Sequence, residues 1–127
     1  MIKKATPVLI VDRIEPLLPL WDALGFARAA EVPNGEVLGF VILSRDGVEI
    51  MYQTFDSVRG DEARVLEGSR AIGASVVFIE VDDLDALAAQ IPGDTEVIVA
   101  RRTTFYGSTE TVIRDAAGNV VTFAQFG

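Results

Sequence analysis

The chain of 127 residues contains no histidine and no cysteine. The first absence removes the usual general base near neutral pH, the Ser-His-Asp triad and the commonest transition-metal ligand together. The second excludes disulfides, thiolate metal sites and cysteine nucleophiles, and it suits a reducing compartment. Basic residues are scarce: 11 Lys and Arg stand against 19 Asp and Glu, a formal charge of −8, and none gather beyond a pair. Nucleic acid is therefore not an expected partner, because phosphate binding needs concentrated positive charge. No apolar run approaches the roughly 20 residues of a membrane span, and MIKKATPVLIV is too short in apolar residues for a secretory signal. A cytoplasmic protein with no membrane partner is expected.

What is present is a duplicated pattern. Half of the residues are apolar, enough for a core without staples. Residues 6–12 (TPVLIVD) form a β-branched run, followed by a helical stretch, IEPLLPLWDALGF. Residues 76–82 (VVFIEVD) and LDALAAQIPGD repeat that order. Pro16 is tolerable in a first helical turn, whereas Pro19 lies deeper and predicts a short or kinked helix. Asp82 or Asp83 can cap the second helix. Three strand-like segments follow each helix: FARAAEV, VLGFVILS and VEIMYQ, then TEVIVA, STETVI and VVTFAQ. Aligning Arg45-Asp46 on Arg114-Asp115 brings the terminal hairpins together. The expected fold is α+β, a single domain over 1–127 made of two tandem βαβββ modules, 1–53 and 74–127. Residues 54–73 connect them. Pairing the two sheets would bury apolar surface around a concave trough.

TPVLIVDRIEPLLPLWDALGF, VFIEVDDLDAL and YGSTETVIRDAAGNVVTFAQ, in that order and spacing, resemble the vicinal-oxygen-chelate superfamily of glyoxalases, extradiol dioxygenases and bleomycin-resistance proteins. The resemblance implies the paired βαβββ fold. It also implies metal slots on the first and fourth strands of each module, which in metal-using members hold His or Glu. The corresponding positions here are Thr6, Met51, Val76 and Thr122. None is a histidine or a carboxylate, and lone hydroxyls and thioethers bind hard divalent cations poorly. No metal and no other cofactor is expected.

Strand parity sorts the faces. Thr6, Val8 and Ile10, then Glu49, Met51 and Gln53, then Phe40 and Ile42, are expected to line the trough from the first half. Val76, Phe78 and Glu80, then Val120, Thr122 and Ala124, with Thr109 and Thr111 as repeat partners of Phe40 and Ile42, are expected to do so from the second. Trp21 is weighed both as a stacking residue at the trough mouth and as packing between helix and sheet. Phe105-Tyr106 precedes Gly107, where the chain needs a turn and where the resemblance implies a gate to the cavity; gate and plain turn are weighed evenly. Glu49, Glu80 and Glu110 are weighed as acid/base groups or an all-carboxylate Mg²⁺ site and as solvent-facing carboxylates, the second being favoured. Arg101-Arg102 is weighed as a grip on an anionic ligand and as a solvated pair, and Ser44, Ser75 and Ser108 lack an activating base.

The candidate ligand-binding set is therefore Trp21, Phe40, Ile42, Glu49, Met51, Gln53, Phe78, Glu80, Phe105, Tyr106, Thr109 and Thr122, with no catalytic residue assigned. The expected function is metal-free sequestration of a hydrophobic or cationic small molecule, as in the bleomycin-resistance branch. A homodimer follows from the resemblance. Two alternatives stay open: a glyoxalase- or dioxygenase-like enzyme with an atypical carboxylate metal set such as Glu49 and Glu80, and a non-catalytic interaction subunit.

Overall fold

In the computed structural model, which describes residues 1, 3–67 and 75–127, two prolines break the first helical segment. A 3₁₀ turn over Glu15–Leu17 runs into the short helix α1, Leu18–Ala23, with Pro16 and Pro19 each in an opening turn. There a missing N–H costs nothing. Gly25, at φ 80°, ends the helix, a conformation glycine adopts without Cβ strain.

The chain divides into two compact units, Met1–Ile72 and Gly73–Gly127. In the first, strand β1 (Val8–Val11) precedes α1, and β2 (Ala27–Asn34), β3 (Val37–Arg45) and β4 (Val48–Thr54) follow it. They form a four-stranded sheet of order β1-β4-β3-β2, parallel between β1 and β4 and antiparallel elsewhere. In the second, β5 (Val76–Glu80) precedes a helix over Leu84–Gln90, followed by β6 (Glu96–Thr103), β7 (Ser108–Arg114) and β8 (Val120–Phe126). The second sheet repeats the plan as β5-β8-β7-β6. The fold is α+β, with βαβββ order in each unit.

The expected connection is partly helical. Thr54 accepts a hydrogen bond at Oγ1 from Ser57 N (3.1 Å) and starts α2, Phe55–Glu62. Phe55 and Val58, one turn apart, are both buried, so the segment has an apolar stripe that favours helix. A 3₁₀ turn over Ala63–Leu66 follows; residues 68–74, where that connection ends and the second module begins, lie outside the described residues. The helix Leu84–Gln90, α3 in chain order, is capped by Asp83, whose Oδ1 accepts from Ala86 N at 3.0 Å.

The first sheet buries one face, whereas the second buries residues on both. In the first unit Leu9, Val11, Val41, Leu43, Ile50 and Tyr52 share the face that meets Trp21. In the second, Ile79, Ile113, Val121 and Phe123 are buried on one face, with Leu84 of α3 buried as well. Glu110, Val112, Thr122 and Ala124 are buried on the other, whose rim carries the exposed Val76 and Phe78. Each such side chain contributes about 1.5–3 kcal/mol when fully buried.

The two hairpins differ in their loops. Asp46 (φ 52°) and Gly47 (φ 81°) join β3 to β4, the double positive φ that a tight hairpin turn requires. Between β7 and β8 the pairing stops at Arg114↔Val120, so the loop spans 115–119 instead of 46–47. Asp115 Oδ1 holds it by accepting from Ala117 N (2.9 Å) and Asn119 N (2.8 Å). The loops differ by an odd number of residues, three. A single landmark cannot then bring both arms of the hairpins into phase, and a one-residue slip exchanges the faces of a strand. Aligning Arg45 on Arg114 makes that slip on β7. With Thr122 matched to Met51, the strand partners Ile42↔Met51 and Val112↔Thr122 make Val112 the counterpart of Ile42. The next pairs, Phe40↔Gln53 and Glu110↔Ala124, make Glu110 the counterpart of Phe40.

Candidate functional site

The face of the first sheet opposite Trp21 carries Val8 and Ile10 from β1, Glu49, Met51 and Gln53 from β4, and Phe40 and Ile42 from β3. Thr6 precedes β1 on the same parity. Its Oγ1 donates to Glu49 Oε1 at 3.4 Å, and Lys4 Nζ reaches the same oxygen at 3.1 Å. The Glu49 carboxylate is therefore held by a lysine. Met51 sits between Val8 and Ile42, and Gln53 Nε2 donates to Ser57 Oγ at 3.1 Å.

The equivalent face of the second sheet carries Val76, Phe78 and Glu80 from β5, Thr122, Ala124 and Phe126 from β8, and Val112 and Glu110 from β7. Arg102 joins from β6, directly across from Glu110. Phe78, Tyr106 and Phe126 are 50%, 44% and 43% exposed, and their rings form a chain, Phe78 to Phe126 at 6.4 Å and Phe126 to Tyr106 at 6.3 Å. Phe105 stands edge-on to Tyr106 at 5.1 Å. The tip that presents them is a tight turn in which Gly107 (φ 92°) donates to Thr104 O at 3.2 Å.

Beside these rings lies Glu110, whose exposure is 0%. Arg102 donates to its Oε1 from Nε (3.0 Å) and Nη2 (2.7 Å), while Tyr106 Oη (2.5 Å) and Ser108 Oγ (2.8 Å) donate to Oε2. Burial pushes this carboxyl up. The hydrogen bonds from Tyr106, Ser108 and Arg102, with the Arg102 charge, outweigh it and hold the group below the usual carboxylate range. The bond to Glu110 in turn pushes the Arg102 guanidinium up. The carboxylate has no capacity left for a metal or for proton transfer.

Several expectations change. Trp21 is fully buried and donates from Nε1 to Tyr52 Oη at 3.1 Å, so it packs α1 on β4 and reaches no surface. Thr109 and Thr111 lie on the opposite face from Thr122: Thr109 pairs with Gln125, whose side chain meets Leu84 N at the start of α3, and Thr111 pairs with Phe123. Glu110 is enclosed rather than solvent-facing. Arg101 and Arg102 diverge, Arg101 to Asp85 of α3 at 2.6 Å and Arg102 to Glu110. Ser108 has a carboxylate beside it after all, yet it is only 1% exposed and that carboxylate is already neutralised by arginine. The missed pair had a signal: Arg102 and Glu110 lie four residues either side of Tyr106, and a turn centred on that residue brings them together.

A model of the Glyoxalase/Bleomycin resistance protein/Dioxygenase superfamily matches residues 6–123. The chain belongs to this superfamily. No protein with a curated description matches it. Among solved structures it is similar to lactoylglutathione lyase from Agrobacterium tumefaciens, at 17% identity, TM-score 0.75, and coverage of 97% of this chain and 92% of that one. A superfamily enzyme from Burkholderia phytofirmans PsJN gives 16% identity, TM-score 0.74, and coverage of 96% and 97%. The bleomycin resistance determinant encoded on transposon Tn5 gives 16%, 0.67, and 98% of both chains. Likeness at such identities carries the fold.

The superfamily's metal chemistry finds no donor set in the corresponding positions. Thr6 is bonded to Glu49, Met51 lies between Val8 and Ile42, Val76 has no donor atom, and Thr122 lies between Phe78 and Val112. One thioether and two separate hydroxyls do not fit a divalent cation. Among the described residues no three His, Cys, Asp or Glu side chains converge, and no helix is long and apolar enough to cross a membrane.

Proposed function

We propose that this chain is a metal-free member of the superfamily that captures a hydrophobic or cationic small molecule without turning it over, resembling the bleomycin-resistance proteins, and that it acts as a homodimer. The observation that carries this reading is the exposed chain of rings Phe78, Phe126 and Tyr106, on the face where Val76 and Thr122 replace metal ligands. Contiguous exposed aromatic surface costs solubility and recurs where ligands are buried. On the first sheet, Phe40, Ile42 and Met51 offer a second apolar lining with Gln53 and Glu49 as polar points. The formal charge of −8 favours approach of a cation.

Calorimetric titration with a panel of antibiotics and planar hydrophobic cations tests the reading. Saturable binding at one ligand per chain, with the ligand recovered unchanged, is expected. A panel-wide failure to bind at micromolar protein contradicts it. Sedimentation at the same concentrations should give twice the chain mass; a monomer removes the dimer from the proposal.

A further inference from the structure

The Arg102–Glu110 pair is built in a way that packing alone does not require. Glu110 is wholly enclosed, and all of its accepting capacity goes to groups of the same hairpin. Both of Arg102's bonds to Glu110, from Nε and Nη2, go to a single oxygen, Oε1. Tyr106 adds a further interaction with the guanidinium, and the arginine side chain is nonetheless 50% exposed. A guanidinium fork normally meets both oxygens of a carboxylate side by side. Here the buried carboxylate instead takes the fork on one oxygen, and the side chain that supplies it stays half-exposed.

The surroundings of that side chain are specific. Tyr106 donates to the same carboxylate as Arg102, so the guanidinium lies at one end of the ring chain Tyr106–Phe126–Phe78. Glu80, the other carboxylate of this face, pairs with Ala124, which in turn pairs with Glu110, and so stands two strands from β7. A ligand lying along the rings therefore meets guanidinium N–H donors at the Arg102 end and a carboxylate toward Glu80.

We propose that this face is a subsite for a planar aromatic carboxylate, its ring on Phe78, Phe126 and Tyr106 and its carboxylate on the Arg102 guanidinium. Glu110 and Tyr106 are positioning residues that hold the arginine. The inference rests on the reading of this face as a ligand site; it selects the hydrophobic class and gives it an anionic end. Charge-assisted hydrogen bonds to arginine outweigh neutral ones, and a half-exposed guanidinium lets the anion keep part of its hydration. The overall negative field then slows association without removing the local attraction.

The test compares three matched probes, 2-naphthoate, 2-naphthylmethanol and 2-naphthylmethylammonium, by calorimetry on the full chain. Arg102→Gln alone strands a buried carboxylate and endangers folding, so the double variant R102Q/E110Q is used beside the native chain, its fold checked by circular dichroism. The native chain should bind naphthoate about tenfold more tightly than the alcohol. The double variant should lose that preference and bind naphthoate and alcohol alike, and Phe126→Ala should weaken both in the native chain. Equal affinity for naphthoate and alcohol overturns the anionic end and leaves the ligand-binding reading standing. Preference for the ammonium probe also overturns it, in favour of a cationic ligand. Binding of none of the three overturns the aromatic subsite itself, while the antibiotic panel still judges the wider function.

Discussion

Glu110 shows how one side chain reorganises its neighbourhood. A buried carboxylate costs several kcal/mol unless it is paired and hydrogen-bonded, and here four donors meet it. Its folded-state pKa lies below its ordinary value, as does that of Glu15, mainly through the Leu38 N–H bonded to its Oε2 at 2.7 Å. A depressed carboxylate pKa adds stability that is present above the unfolded value and is lost as pH falls through the folded one. Thermal melts between pH 7 and pH 3 should therefore show a falling transition temperature below the ordinary carboxylate range (about pH 4). Glu110→Gln should flatten that acid limb; an unchanged limb contradicts the assignment. At the other end of the chain, Tyr52→Phe removes the acceptor of the buried Trp21 N–H. A loss of about 1–3 kcal/mol is expected in denaturant titrations, followed by the fluorescence of Trp21, the chain's sole tryptophan.

Elements in this chain are set by a few positional residues. Gly39 on β3 is one: a Cβ there would stand 2.7 Å from Asn34 Cβ and 3.1 Å from Ser57 Cβ. Gly39→Ala should cost about 1–3 kcal/mol through the overpacking it forces, measured as a shift in the denaturation midpoint. Asp83→Ala, which removes the α3 cap, should cost about 1 kcal/mol. The strands, the break at Pro19 and the Asp83 cap were legible because hydrophobic period, proline and capping chemistry act locally. The first sheet's faces were legible for the same reason: within β1, β3 and β4, parity needs no outside reference. The face of β7 was not, since its phase depends on how many residues the loop 115–119 holds beyond 46–47. That error hid Glu110 and placed Thr109 on the wrong face. Helix α2 was hidden by its polarity, because only Phe55, Val58 and the Thr54 cap mark it.

For the whole molecule, the superfamily fold is present while its shared donor set is not. The second βαβββ unit repeats the first in order and topology, yet the repeat is unequal in chemistry. Phe40 of the first sheet is matched by Glu110 of the second, and Met51 by Thr122. Of the two corresponding faces, the second carries Arg102 and the exposed rings Phe78 and Phe126. The most direct measurement of capture without metal is calorimetry of one bound ligand before and after exhaustive chelation, with metal content determined on the same samples. Unchanged affinity in metal-free protein, with no product formed, is expected. Loss of binding on chelation, restored by a stoichiometric divalent ion, contradicts it.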